Sequence, residues 1–123
     1  TEYEKVCDGT LVVEGGRVCL SYEPTEQISV EMSFDVDEPK LITLARRSEN
    51  MPPMMLVLEE GVRHVCLCKS QRTSFEMLAR AKRIENSFLK DGRVELDYAV
   101  EVNGLRAEKT KVTISLVKNE RLR

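Results

Sequence analysis

Apolar and polar side chains alternate along most of this chain. Ile28, Val30, Met32, Phe34 and Val36 are separated by Ser29, Glu31, Ser33 and Asp35. Val94, Leu96, Tyr98, Val100 and Val102 alternate with Glu95, Asp97, Ala99 and Glu101. Val112, Ile114 and Leu116 alternate with Lys111, Thr113 and Ser115. A period of two is the mark of a strand with one buried face. Shorter candidates span 8–14, 17–23, 40–47, 54–60 and 63–69. Between them stand turn-forming residues: Gly15-Gly16, Asp37-Glu38-Pro39, Glu60-Gly61, Lys90-Asp91-Gly92 and Asn103-Gly104. These connections are too short for crossover helices, so neighbouring strands run antiparallel. The pattern predicts an all-β fold: a single-domain antiparallel up-and-down β-barrel over residues 1–123, of about eight to nine strands. Closure into a barrel removes the two free edges that an open meander exposes.

Two hairpins allow register to be read. A two-residue turn at Gly15-Gly16, with positive φ supplied by glycine, sets Val13 against Val18, Val12 against Cys19 and Leu11 against Leu20. At Asn103-Gly104 a strict two-residue turn would set Leu96 against Lys111 and put every side chain on the wrong face. One more loop residue sets Leu96 against Val112, Val94 against Ile114 and Asp97 against Lys111. A three-residue loop or a bulge is therefore predicted there.

Residues 75–90, FEMLARAKRIENSFLK, fit two descriptions. Ser74 is a fair helix N-cap, and Met77, Ala81, Ile84 and Phe88 share a helical stripe. Phe75, Met77, Ala79 and Ala81 also alternate moderately well as a strand. Local preference slightly favours helix.

Composition narrows the function. Charged residues are 33 %, with 19 basic and 21 acidic residues interspersed and a net charge of −2. A duplex-binding protein normally carries a basic stripe, so no nucleic-acid partner is expected. With no Trp and 5 % aromatics, a stacking platform for single strands is poorly supplied. No apolar run approaches the ~20 residues of a membrane-spanning helix, so no membrane partner is expected. The chain begins at Thr1 rather than Met, which leaves room for residues upstream.

Four cysteines allow two disulfides, but their placement does not suit pairing. Cys66 and Cys68 lie two apart on one strand, roughly 6.6 Å along it. Cys7 lies well beyond the partner of Cys19 in the first hairpin. All four are expected as reduced thiols, which points to the cytoplasm.

The segments GGRVCLSYEPTE (15–26), ITLARRSE (42–49), LEEGVRHVC (58–66), FEML (75–78), RIEN (83–86) and DGRVELDYAVEVNGLRAE (91–108) resemble the YwiB-like family of uncharacterised bacterial proteins. The resemblance spans nearly the whole chain. It implies a calycin-like (lipocalin-like) β-barrel, mostly strand over 75–90, and carries no biochemical activity. The matching positions are Tyr22 and Glu23 of a Ser-Tyr-Glu motif, Arg46 of an Arg-x-Gly motif, and Asp97-Tyr98 of a Leu-Asp-Tyr motif. This chain has Ser48 for the usual Gly, Cys68 for a usual Tyr, and SQRTSF (70–75) for a Gly-containing loop. The strand before Asp8 is shorter than in the family.

Three constellations carry candidate chemistry. In RHVCLCKS (63–70), His64, Cys66 and Cys68 share one strand face and are ligand types that suit zinc. The outer two are roughly 13 Å apart along the backbone, too far to converge on one ion, and no second ligand pair is fixed nearby. The expectation is no metal and no cofactor, with the cysteines packing as small apolar residues. A Cys66–His64 nucleophile pair lacks a third group to orient it, and Arg63 points to the other face. Tyr22, Glu23, Arg46 and Tyr98 form the candidate ligand-binding set: an inward Arg and Glu would fix a polar group while the barrel wall supplies apolar contact. An ion pair at the barrel rim is the plainer alternative. Glu95, Asp97 and Glu101 opposite Lys109 and Lys111 read as a solvated face of cross-strand pairs. Met51, Met54 and Met55 around Pro52-Pro53 read as a loop folding over the core, or as a soft patch at the barrel mouth.

The expected function is binding of a small apolar or amphipathic ligand in a β-barrel. The alternative is a structural module that self-associates through a barrel face as a homodimer. Enzymatic activity ranks third, with no substrate named and no catalytic residue assigned.

Overall fold

The computed structural model describes residues 7–49, 51–69, 74–103 and 108–116. Nine strands follow one another: β1 (Gly9–Glu14), β2 (Arg17–Thr25), β3 (Ile28–Asp35), β4 (Glu38–Ser48), β5 (Met51–Glu59), β6 (Arg63–Lys69), β7 (Ser74–Ser87), β8 (Arg93–Val102) and β9 (Glu108–Ser115). A single helical turn, α1 (Phe88–Asp91), separates β7 from β8. The fold is all-β. The strands form two antiparallel meanders, a five-stranded sheet in the order β1-β2-β3-β4-β5 and a four-stranded sheet in the order β6-β7-β8-β9. Among the described residues no ladder joins β1 to β9.

Both hairpin registers follow from side-chain alternation. Val13 pairs with Val18, Val12 with Cys19 and Leu11 with Leu20, around Gly15 and Gly16 at φ of 59° and 78°. Leu96 pairs with Val112, Val94 with Ile114 and Asp97 with Lys111. That register requires the longer loop predicted at Asn103-Gly104; residues 104–107 themselves lie outside the described residues. Asn103 is tied to β7, its backbone N–H donating to the Glu76 carbonyl and its Oδ1 accepting from the Glu76 N–H.

The residues 75–90 are strand up to Ser87 and helical only from Phe88. Met77, Ala79 and Ala81 alternate inward and are buried. The register then shifts between Ala81 and Arg83, and Ile84 becomes the next buried residue. A bulge of this kind converts a spacing of two into a spacing of three. Met77, Ala81, Ile84 and Phe88 thus mimic a helical stripe while lying along one bent strand.

Prolines mark the other irregularities. All four sit where a ladder breaks step. Pro24 lies in the break between Tyr22 and Thr25, and Pro39 lies opposite the break between Ser33 and Asp35. Pro52 and Pro53 lie opposite the break between Arg46 and Ser48. Proline has no N–H to give a ladder, so it is tolerated at such bulges and at edges. The methionine run is accordingly not a loop over the core but the start of β5. Met54 packs on the core, whereas Met55 is exposed.

The two sheets share one core. Val18, Leu20, Met32, Phe34, Ile42 and Leu58 from the first meet Met77, Ile84, Val94 and Leu96 from the second. The corner between sheets is the Glu59–Val62 turn. Gly61 N–H donates to the Ala81 carbonyl, and Glu60 Oε1 accepts the Ile84 N–H at the bulge in β7. Asn86 Nδ2 donates to the Pro39 carbonyl, tying β7 to the start of β4. The first two contacts occupy backbone groups of Ala81 and Ile84 on either side of the bulge.

A candidate ligand site at the tyrosine end of the sheets

Register divides the inner face of the first sheet into rows. Val18 and Phe34 lie in one, with Ile42 beside Leu58. Leu20, Met32, Leu44 and Leu56 form the next. Tyr22, Val30, Arg46 and Met54 form the last. Directly opposed residues of an antiparallel ladder share a face, so all four point to the side of the core. Tyr98 continues this level on the second sheet, paired with Ala81 and Thr110, and Val100 follows it.

The two ends differ in what fills them. At one end α1 folds inward: Phe88 is buried and meets Phe34 edge-on, with ring centroids 6.1 Å apart. At the other end Tyr22 and Tyr98 are half-buried and Arg46 is exposed.

Tyr98 acts electrostatically on Tyr22, and Arg46 on Tyr98. Burial pushes the Tyr22 phenol above its usual range, and the neighbouring Tyr98 and Cys7 push the same way. Burial also raises Tyr98, while the Arg46 guanidinium opposes that shift. Both phenols stay protonated at neutral pH and can donate hydrogen bonds. Arg46 makes no ion pair with another described residue. Glu23 is exposed, follows Tyr22 into the register break of β2, and makes no ion pair with Arg46. The level therefore offers one guanidinium and two phenols beside the apolar side chains of Val30, Met54 and Val100. Such a set can hold a small anion by charge-assisted hydrogen bonds while an attached apolar portion rests on the wall.

The histidine strand is a separate place. His64 and Cys66 pair with the inward positions Ala79 and Met77, and Val65 faces out. The backbone of Cys68 pairs with Phe75; its side chain lies outside the described residues. His64 Nε2 lies 3.0 Å from Glu59 Oε1. This carboxylate was not anticipated from the sequence, although the Glu60-Gly61 turn folds β5 back beside β6 and was the available signal. None of Cys7, Cys19 and Cys66 is in a disulfide. Among the described residues no three His, Cys, Asp or Glu side chains are grouped to hold a metal ion, and no helix is long and apolar enough to cross a membrane.

The expected pairing of Glu95 and Asp97 with lysines takes another form. Asp97 does stand opposite Lys111, but Glu95 stands opposite Thr113 and, on its other side, Glu85. The ion pairs run along the strands, Arg93 Nη2 to Glu95 Oε1 at 2.7 Å and Arg83 to Glu85. Two arginines thus offset two glutamates that oppose each other. The Glu95 carboxyl is held below its usual range chiefly by its hydrogen bonds from Arg93.

No curated protein and no solved structure matches the chain. A family model matches residues 1–114, nearly its full length, and on that match the chain belongs to the family described as Domain of unknown function (DUF1934).

Proposed function

We propose that this chain is a calycin-like ligand-binding module of the YwiB-like kind, working in the bacterial cytoplasm on a small amphipathic anion. The observation that carries the reading is Arg46, an inward-row guanidinium with no carboxylate partner among the described residues, set beside the phenols of Tyr22 and Tyr98. Arg46 is exposed, so its guanidinium is within reach of an anion from solvent. The ligand's charged head is placed on Arg46 and the two hydroxyls, and its apolar part on Val30, Met54 and Val100. Met32, Phe34 and Leu96 fill the interior below this level, so the ligand rests at the tyrosine end rather than inside a lumen.

The test has two steps. Native mass spectrometry of freshly purified protein reads any organic mass that co-purifies. Calorimetric titration with dodecanoate, a plain amphipathic anion, then measures binding directly. Saturable binding that weakens about tenfold or more in Arg46→Gln supports the reading. No co-purifying mass together with no binding of dodecanoate up to its solubility limit overturns it.

A further inference from the structure

The outer edge of β1 pairs with no other described strand. All six of its residues are exposed, among them Leu11, Val12 and Val13 at 40, 48 and 57 %. Soluble proteins usually block such an edge with lysine, proline or a bulge. Within GTLVVE there is neither Lys nor Pro, the ladder to β2 is regular, and the sole charge is Glu14 at the end. The terminal strand of the other sheet differs, for β9 carries Lys109 and Lys111, both exposed.

We propose that β1 is the contact through which two copies of this chain associate, edge to edge about a two-fold axis. The register follows from the hairpin. A two-residue turn makes Glu14 and Arg17 a hydrogen-bonded pair. Alternation then directs the backbone groups of Thr10, Val12 and Glu14 toward β2, and those of Gly9, Leu11 and Val13 toward the free edge. A symmetric antiparallel pair must join the second set. With the axis at Val12, Leu11 meets Val13 of the second copy and Val12 meets Val12. Every apolar residue of the strand then opposes an apolar residue, and the exposed backbone groups of Leu11 and Val13 are satisfied. Moving the axis to Leu11 sets Val12 against Thr10 and Val13 against Gly9, which loses that match. This self-complementarity selects a second copy over an unrelated strand. Leu11 and Val13 extend the inner face across the joint, while the two Val12 side chains meet on the outer face.

A strand of six residues is roughly 20 Å long. Its pairing falls in the interface class below about 1,200 Å², so the dimer is reversible and concentration-dependent. The inference is independent of the ligand reading, because Val12 lies on the opposite face from Tyr22.

Sedimentation equilibrium of the full chain tests it, with Val12→Lys, Val12→Glu and an equimolar mixture of the two. The expected result is a wild-type dimer, a dissociation constant raised about tenfold or more in each variant alone, and recovery in the mixture, where unlike charges oppose each other. Hydrogen exchange on the wild type supplies a readout free of mutation: the Leu11 and Val13 amides become protected as concentration rises. A wild type that stays monomeric to about millimolar concentration overturns the inference. So does a dimer indifferent to both substitutions, a mixture that fails to recover, or amide protection in the monomer.

Discussion

The two ends of the inner face are built from the same strands and fill their space differently. At the closed end Phe34, Ile42, Leu58, Ile84 and Val94 are fully buried, and α1 turns Phe88 onto Phe34. At the other end the same ladders carry Tyr22, Arg46 and Tyr98, which are polar at their tips and reach solvent. The difference arises over only a few residues. Along β3 the inward positions change from Phe34 and Met32 to the half-buried Val30. Along β8 they change from Val94 and Leu96 to Tyr98 and Val100. A meander can thus fill one end with apolar side chains and place polar tips at the other without any insertion.

Truncation at the closed end should have the largest effect. Phe34→Ala removes a fully buried ring that meets Phe88 of α1, and is expected to cost about 3–5 kcal/mol in urea unfolding. Tyr98→Phe at the tyrosine end should cost less than about 1 kcal/mol by the same measurement. Equal losses at the two positions would erase the distinction.

Gly92 caps α1 at φ of 72°, and a Cβ there would lie 3.3 Å from the Leu116 carbonyl oxygen. Gly92→Ala should therefore cost about 2 kcal/mol, part from the left-handed conformation and part from the contact. Its readout is the same unfolding curve.

The phenols give the tyrosine end a pH signature. Both Tyr22 and Tyr98 have folded-state values raised above the usual 10.0. Their contribution to stability is therefore fully present below that value and is lost as pH rises through the higher folded values. Unfolding measured between about pH 9 and about pH 11 should show a decline. Replacing both tyrosines by phenylalanine should flatten it.

Glu60 gives the smallest effect and the opposite slope. Its carboxyl is held below 4.5 first by the Ile84 N–H and then by Lys40, so the contribution is present above that value and lost as pH falls below it. Glu60→Ala should speed hydrogen exchange at the Ile84 amide while leaving the Val94 amide unchanged.

These contrasts also mark what the sequence reveals. The registers at Gly15-Gly16 and beyond Asn103 were legible, because one buried face and a short turn fix both at once. The bulge in β7 was not, since its extra residue only shows once Glu60 and β8 are in place on either side. Resemblance to relatives identified that segment as strand where local preference leaned to helix. Of the candidate site, Tyr22, Arg46 and Tyr98 come together as a row and its continuation across two sheets. Glu23 sits apart, exposed beside a register break that no period-two pattern announces. The Glu59–His64 contact depends on how β5 folds back onto β6, a matter of tertiary placement rather than of motif.

The most direct test of the two-ended account is a side-chain NMR titration with dodecanoate. The account predicts shifts concentrated at Tyr22, Tyr98, Val30 and Met54, little change at Phe34, Phe88 and Val94, and loss of the response in Arg46→Gln. Shifts of equal size at both ends, or a response centred on the closed end, would contradict it.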